Sequence, residues 1–290
     1  MAALVGGPIQ VAGYLCTLRG GSQPVLVEAT NGVLYVLKFR NNPQGRNVIF
    51  NEAAGAELFR ACGLGVPPWE PLMVTEDFLD RNRRCWLQAR GELIRPESGL
   101  SFGSRYQGSL KRRLLVRLPG AYYSRVRNRK SFWLAWLIDV CCDHVDTRQA
   151  VFLEDRDRAL DALFVDSGHL FGGPSGGEQP PPLTSAYFDG RIYPDITWDE
   201  AESLLHGVRA VDADGLWKRV RAFPDDWQTA SAIQCFSRGL DRLMNRALVR
   251  STIDSLFENL RRLQSRTRPT ISRWNDQRSA SVFSNIVRAE

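Results

Sequence analysis

Lysine is nearly absent from this chain. Lys38, Lys111, Lys130 and Lys218 are the only lysines, and the other 34 of the 38 basic residues are arginines. Histidine is scarcer still, with three residues, which leaves little material for histidine-centred acid–base chemistry or a histidine metal site. Long apolar runs are also missing. A bilayer span needs about 20 such residues and a signal-peptide core ~7 to 15, whereas the longest stretch here, Phe132 to Val140, is interrupted by Asp139. The opening MAALVGGPIQ carries no charged leader. These absences predict a cytoplasmic protein with no membrane partner. The six cysteines show no CxxC spacing, and the adjacent Cys141 and Cys142 are poorly placed to bridge one another. They are expected as buried or free thiols in a reducing compartment, with a cysteine metal site as the alternative. Acidic residues are missing from one segment: Ser101 to Lys130 holds nine basic residues and no acid.

What is present excludes disorder throughout. The chain has 290 residues, 43% hydrophobic, with 8 Trp and 14 Phe, enough for one large core or two modest lobes. Val11 to Thr17, Val25 to Ala29 and Leu34 to Phe39 read as strands, separated by Gly20-Gly21-Ser22 and by the hairpin signal Asn31-Gly32. Helical spacing over Asn47 to Cys62 ends at Gly63. Pro67, Pro68 and Pro71 precede a strand at Leu72 to Val74, and Cys85 to Ala89 reads as another. Ser131 to Cys142 reads as a buried helix, followed by strand-like pieces at Ala150 to Leu153 and Ala162 to Val165. Gly172 to Pro182 is a Gly/Pro-rich connector. Thr197 with Glu200 is a capping-box signature opening a helix at Trp198 to Val208, and helices are predicted at Gly215 to Ala222 and Ala230 to Leu263. The predicted class is α+β. Residues 1–95 form a sheet with one helix, 96–265 a mainly helical unit, and 266–290 a basic tail that frays.

A glycine turn, a lysine, a glutamate and a pair of aspartates follow one another in an order that phosphoryl transfer from ATP requires. That chemistry needs backbone N–H groups near the phosphates, a cation on them, an acid pinning the cation, a base for the acceptor, and a carboxylate for Mg²⁺. Gly20, Gly21, Ser22 and Gln23 can supply the turn, Lys38 the cation, Glu52 its pin, Asp146 the base and Asp166 the metal ligand. Each also has a plainer reading. The glycine pair serves as an ordinary turn, Lys38 lies on a solvated strand face, Glu52 is an exposed helix residue, and the aspartates make Asx-turns. The scarcity of lysine favours a specific use of Lys38, because an arginine fork does not replace a compact ammonium.

The segments GGSQPVLVEATNGVLYVLKF, NPQGRNVIFNEAAGAELFRACGLGVP, FGS at Phe102 to Ser104, DVCCDHVDTRQAVF at Asp139 to Phe152 and FVDSGHLFGGP at Phe164 to Pro174 resemble the HipA-like kinase family over roughly residues 10–260. The resemblance implies a two-lobed, protein-kinase-like fold in a bacterial protein, with a small antiparallel β-rich N-lobe, a larger helical C-lobe and ATP between them. By it Lys38 and Glu52 form the ion pair, Asp146 is the catalytic aspartate, Asp166 binds Mg²⁺, and the strand Trp86 to Ala89 is the hinge, with Gln88 and Ala89 at the adenine. One position departs from the pattern. Five residues after Asp146, where kinases keep a metal-binding asparagine, stands Val151. Gln149 is the nearest substitute and His144 another polar candidate. The expected activity is transfer of a γ-phosphoryl group to Ser or Thr of a protein acceptor. The alternative is a pseudokinase binding nucleotide, protein or RNA. Arg105 to Lys130, with Tyr106, Tyr122 and Tyr123 interleaved, is either a solvated face or a contact for an acidic protein or RNA.

Overall fold

The computed structural model describes residues 7–109, 112–177 and 183–266. Residues 267–290 of the expected tail, Lys111, and residues 178–182 of the Gly/Pro connector lie outside the described residues.

The chain begins as a meander of β1 (Val11–Thr17), β2 (Val25–Ala29) and β3 (Leu34–Lys38), with turns where the glycines stand. Helix α1 (Val48–Ala61) follows and stops at Gly63, whose φ of 78° suits glycine. There the Leu64 amide donates to the Phe59 carbonyl and the Gly63 amide to that of Arg60, which satisfies the last carbonyls of the helix. Every residue of α1 from Val48 to Phe59 is buried, so the helix packs on all sides. Next come β4 (Trp69–Val74), α2 (Glu76–Arg81), the β5 (Leu87–Ala89) and β6 (Glu92–Ile94) hairpin, and β7 (Gly99–Arg105).

The main sheet is antiparallel with order β1-β2-β3-β7-β4. Its interior strand β7 lies past residue 95, so the sheet draws on chain beyond the expected end of the first unit. Sequence reading missed β7 because Gly99, Ser101, Gly103 and Ser104 look like loop residues. Packing explains one of them: a Cβ at Gly103 would come within 2.5 Å of the buried Leu72 side chain. Side-chain alternation gives this sheet two uses. Tyr35 and Leu37 join an outer core with Phe78, Leu79, Cys85 and Leu87 from the α2–β5 region. Lys38 faces the other way.

The second part contains β8 (Arg113–Leu115), α3 (Ser131–Cys141), β9 (Gln149–Glu154) and β10 (Leu160–Val165), with sheet order β10-β9-β8. Helices α4 (Trp198–Arg209), α5 (Ala213–Val220), α6 (Ala230–Met244) and α7 (Arg246–Arg266) complete it. The Thr197–Glu200 capping box forms at the start of α4. The long helix predicted over Ala230 to Leu263 is two helices, because the Asn245 side chain accepts from the Ala247 and Leu248 amides and caps a new start. One large core joins α1, α3 and α4–α7.

The arginine-rich segment has internal partners. Arg105 pairs with Glu70 at 3.3 Å, Arg112 with Asp161 at 3.5 Å, Arg125 with Glu154, Arg127 with Asp155 and Asp161, and Lys130 with Glu200 at 2.7 Å. Arg129 donates to the Arg191 and Ile192 carbonyls. Much of the acid missing from the run is therefore returned by the β9–β10 hairpin, and its cations form a surface network more than a free basic face. All six cysteines are free thiols. Burial pushes Cys62 and Cys141 up to about 12, so neither is a reactive thiolate. Among the described residues no helix is long and apolar enough to cross a membrane.

Candidate active site

Lys38 ends β3 on the face turned from the outer core, and Glu52 sits one turn into α1. The two form a buried ion pair, with Lys38 6% and Glu52 5% exposed. Lys38 Nζ also reaches Asp166 Oδ1 at 2.6 Å, at the end of β10. One ammonium thus holds two carboxylates from elements far apart in sequence. Burial alone would lower the Lys38 pKa, but the Asp166 and Glu52 charges outweigh it and hold it above the usual lysine range. Burial likewise pushes the Asp166 carboxyl up, and the Lys38 ammonium more than reverses this, leaving it at about 2. Both groups are charged at neutral pH, in an arrangement that would be costly if any partner were lost.

Asp166 has a φ of 62°, in the left-handed region that non-glycine residues rarely occupy. The segment after it is held by α1: the Ser167 and Gly168 amides donate to Glu52 at 3.2 and 2.8 Å. Gln149, first residue of β9, stands opposite Val165 in the ladder and donates from Nε2 to Asp166 Oδ2 at 2.5 Å. Val151 pairs with Leu163, farther along the same strands.

Asp146 is half-buried in the loop between α3 and β9, where Oδ1 accepts from the Thr147 amide at 2.7 Å. That bond reaches the next residue only, one short of the two-residue Asx-turn of the plainer reading. The loop is laced to the segment after Asp166 by three backbone bonds: Val145 to the His169 carbonyl (3.0 Å), and Phe171 and Gly172 to those of Cys142 and Asp143 (both 2.8 Å). Arg242 of α6 fixes the loop's start by pairing with Asp143 at 2.8 Å. His144 is completely buried, and burial with the nearby Arg148 charge keeps its imidazole neutral. It does not face solvent as an acid or base.

The glycine turn folds back with the Gln23 amide donating to the Gly20 carbonyl at 3.1 Å. Because Val25 stands opposite Leu37, this turn ends beside Lys38. Gln88 and Ala89 lie outside the main sheet. Their strand belongs to the two-stranded β5–β6 ladder, and its Leu87 packs with Leu37 in the outer core, on the side away from Lys38. The Gln88 N–H and carbonyl are both engaged by the Gln23 side-chain amide, at 2.7 and 2.6 Å. The chain that leaves the sheet for the second part is the end of β7 with residues 106–109.

Sequence reading missed a buried cation. Arg148, 1% exposed, makes a two-point pair with Asp139 of α3, with Nε–Oδ2 at 2.8 Å and Nη2–Oδ1 at 2.5 Å. Its Nη1 donates to the Val165 carbonyl at 3.0 Å, and its guanidinium lies over the Phe59 ring of α1 at 4.7 Å. Asp139 was the signal: a carboxylate inside an apolar helix needs a buried partner.

Among the described residues no three His, Cys, Asp or Glu side chains cluster as a metal cage. Asp166 and Gln149 nevertheless fit Mg²⁺, which commonly takes one or two protein oxygens and completes its octahedron with phosphates and water. Gln149 would have to turn its amide so that the oxygen faces the ion.

No family model and no curated protein matches the sequence. Solved structures do match in shape. One is the Helicobacter pylori proinflammatory kinase CtkA, 11% identical, covering 86% of this chain and 96% of its own, with a TM-score of 0.53. Another is the Golgi casein kinase with Mn/ADP bound, 10% identical, covering 90% and 75%, with a TM-score of 0.51. The chain has a protein-kinase-like fold. At such identities the likeness carries architecture alone.

Proposed function

We propose that the chain is an ATP-dependent kinase of the HipA-like kind that phosphorylates Ser or Thr of a protein acceptor in the cytoplasm. The observation that carries the reading is the cluster of Lys38, Glu52 and Asp166, the first two buried and the third partly exposed, where one cation is held ready between two acids. Solvated strand and helix faces do not account for a buried Lys38–Glu52 pair that also holds a part-buried carboxylate. Lys38, kept cationic and fixed by Glu52, is suited to orient the α- and β-phosphates. Asp166 and Gln149 would hold Mg²⁺, and the glycine turn would lie over the phosphates. Bound Mg²⁺ would neutralise charge on the phosphate oxygens.

Asp146 would accept the acceptor hydroxyl's proton as its oxygen bonds to the γ-phosphorus. The bond from that phosphorus to the β–γ bridging oxygen breaks, and ADP leaves. Rigid placement of these groups does most of the work, since the phosphoryl group passes through a loose transition state. Val151, where a second metal ligand would stand, favours the second reading of a pseudokinase that binds nucleotide without turnover.

Thermal unfolding with millimolar ATP and Mg²⁺ tests the site. A rise in Tm that Asp166→Asn abolishes is expected, and no rise in the unaltered protein would refute both readings. ADP release that disappears in Asp146→Ala then separates the kinase from the pseudokinase.

A further inference from the structure

Asp166 leaves a backbone turn that α1 grips by more than Glu52. Asn51, 1% exposed, donates from Nδ2 to three carbonyls of that turn: Gly168 at 3.1 Å, Leu170 at 2.8 Å and Gly173 at 3.2 Å. Three acceptors fix the orientation of the amide, because its oxygen could not face them. That oxygen has no hydrogen-bond partner. The side chain's bonds are thus all made by its donors, and all to one turn. Four residues on, Gly55 lies so close that a Cβ there would come within 2.5 Å of the Ser167 Cβ and 3.2 Å of the Leu170 side chain. Residues four apart share a helix face. One face of α1 is therefore moulded to residues 167–173, while the adjoining Glu52 binds Lys38.

The helix is also tied at both ends. Asn47 accepts from Thr229 at 2.8 Å, and Glu57 accepts from Trp69 and pairs with Arg219, both at 3.0 Å. A helix so held keeps Glu52 and the turn after Asp166 in one fixed relation.

We propose that Asn51 is a positioning residue for the metal-facing carboxylate: by tying the 168–173 turn to α1 it sets Asp166 against Lys38 and Gln149 before nucleotide arrives. This rests on the kinase reading above, in which Asp166 faces Mg²⁺. Asn51 touches neither nucleotide nor metal, and acts through the turn.

The test uses Asn51→Ala and, from the opposite side of the same contact, Gly55→Ala, which crowds Ser167. Two quantities are measured on the full chain: hydrogen exchange of the 167–173 amides, and ATP affinity with and without Mg²⁺. Faster exchange at 167–173 is expected with β2 and β3 unchanged. Affinity for ATP in Mg²⁺ should fall about tenfold or more, the usual cost of losing support behind a metal ligand, while metal-free ATP affinity holds. A lower Tm with an unchanged ratio of the two affinities, or unchanged exchange at 167–173, would overturn the proposal, whichever variant folds. If the unaltered protein shows no Mg²⁺-dependent binding, the kinase reading fails and the carboxylate role with it. The exchange arm then still decides whether Asn51 holds the turn.

Discussion

Replacing Arg148 with methionine should be among the most damaging single changes in this protein, and the damage should depend on pH. The guanidinium is buried against a carboxylate that is itself fully buried on α3. Removing one partner of such a pair costs about 3–5 kcal/mol, because the other charge is left without compensation. For a chain of this size that corresponds to roughly 5–8 °C in Tm. Burial holds the Asp139 carboxyl up at about 6 even with Arg148 beside it. The unfolded carboxyl releases its proton near ~3.9, so between that value and about 6 the folded chain binds the extra proton. The stability from this group is complete below that window and is lost as pH rises through it, by about 3 kcal/mol. Without Arg148 the carboxyl rises further, so the loss extends toward neutral pH. Urea unfolding of Arg148→Met at pH 5 and pH 8 should therefore show the larger penalty at pH 8. Arg148→Met with Asp139→Leu should recover most of the stability, giving a coupling well above ~1 kcal/mol. A penalty below ~1 kcal/mol, one independent of pH, or simple additivity would refute the reasoning.

Two further outcomes can be checked by measurement. Gly103→Ala should destabilise the main sheet by about 1–3 kcal/mol in chemical unfolding, since the new Cβ meets the fully buried Leu72 side chain and lies 3.2 Å from the Glu70 carbonyl. Gln149→Ala should weaken Mg²⁺-dependent ATP binding by about tenfold or more; Val151→Asn in that background should fail to restore it, and restoration would show that the metal is met at 151.

Much of the first sheet was legible because its signals are local. β1 and β2 start and end where their apolar runs do, and Asn31-Gly32 turns the chain as that dipeptide does. Residues that act through distant partners were harder to read. β7 is strand only because β3 and β4 flank it, and Gly103 is required by Leu72, some thirty residues earlier. Asn51 looks like any helix polar residue until the carbonyls of residues 168–173 arrive beside it. The basic run Ser101 to Lys130 suggested an open face, since the acids that meet five of its nine cations come from the distant β9–β10 hairpin and from Glu70 and Glu200. Lys38, Glu52 and Asp166 were readable for a chemical reason: scarce lysine, and acids placed at the ends or starts of regular elements.

The position of the missing asparagine follows from where β9 begins. Residues 149 and 151 lie on one face of the strand, since side chains alternate with a period of two. In the ladder Gln149 faces Val165, the neighbour of Asp166, whereas Val151 faces Leu163. Two residues of strand are about 7 Å, so an amide at 151 would stand about that much farther from the Asp166 carboxylate than Gln149 does. The strand takes up its pairing three residues after Asp146, leaving Thr147 and Arg148 to join the loop to the sheet, and Arg148 turns inward to Asp139. With so short a junction, Gln149 is the β9 side chain that meets Asp166, and the geometry favours a ligand there over one at 151.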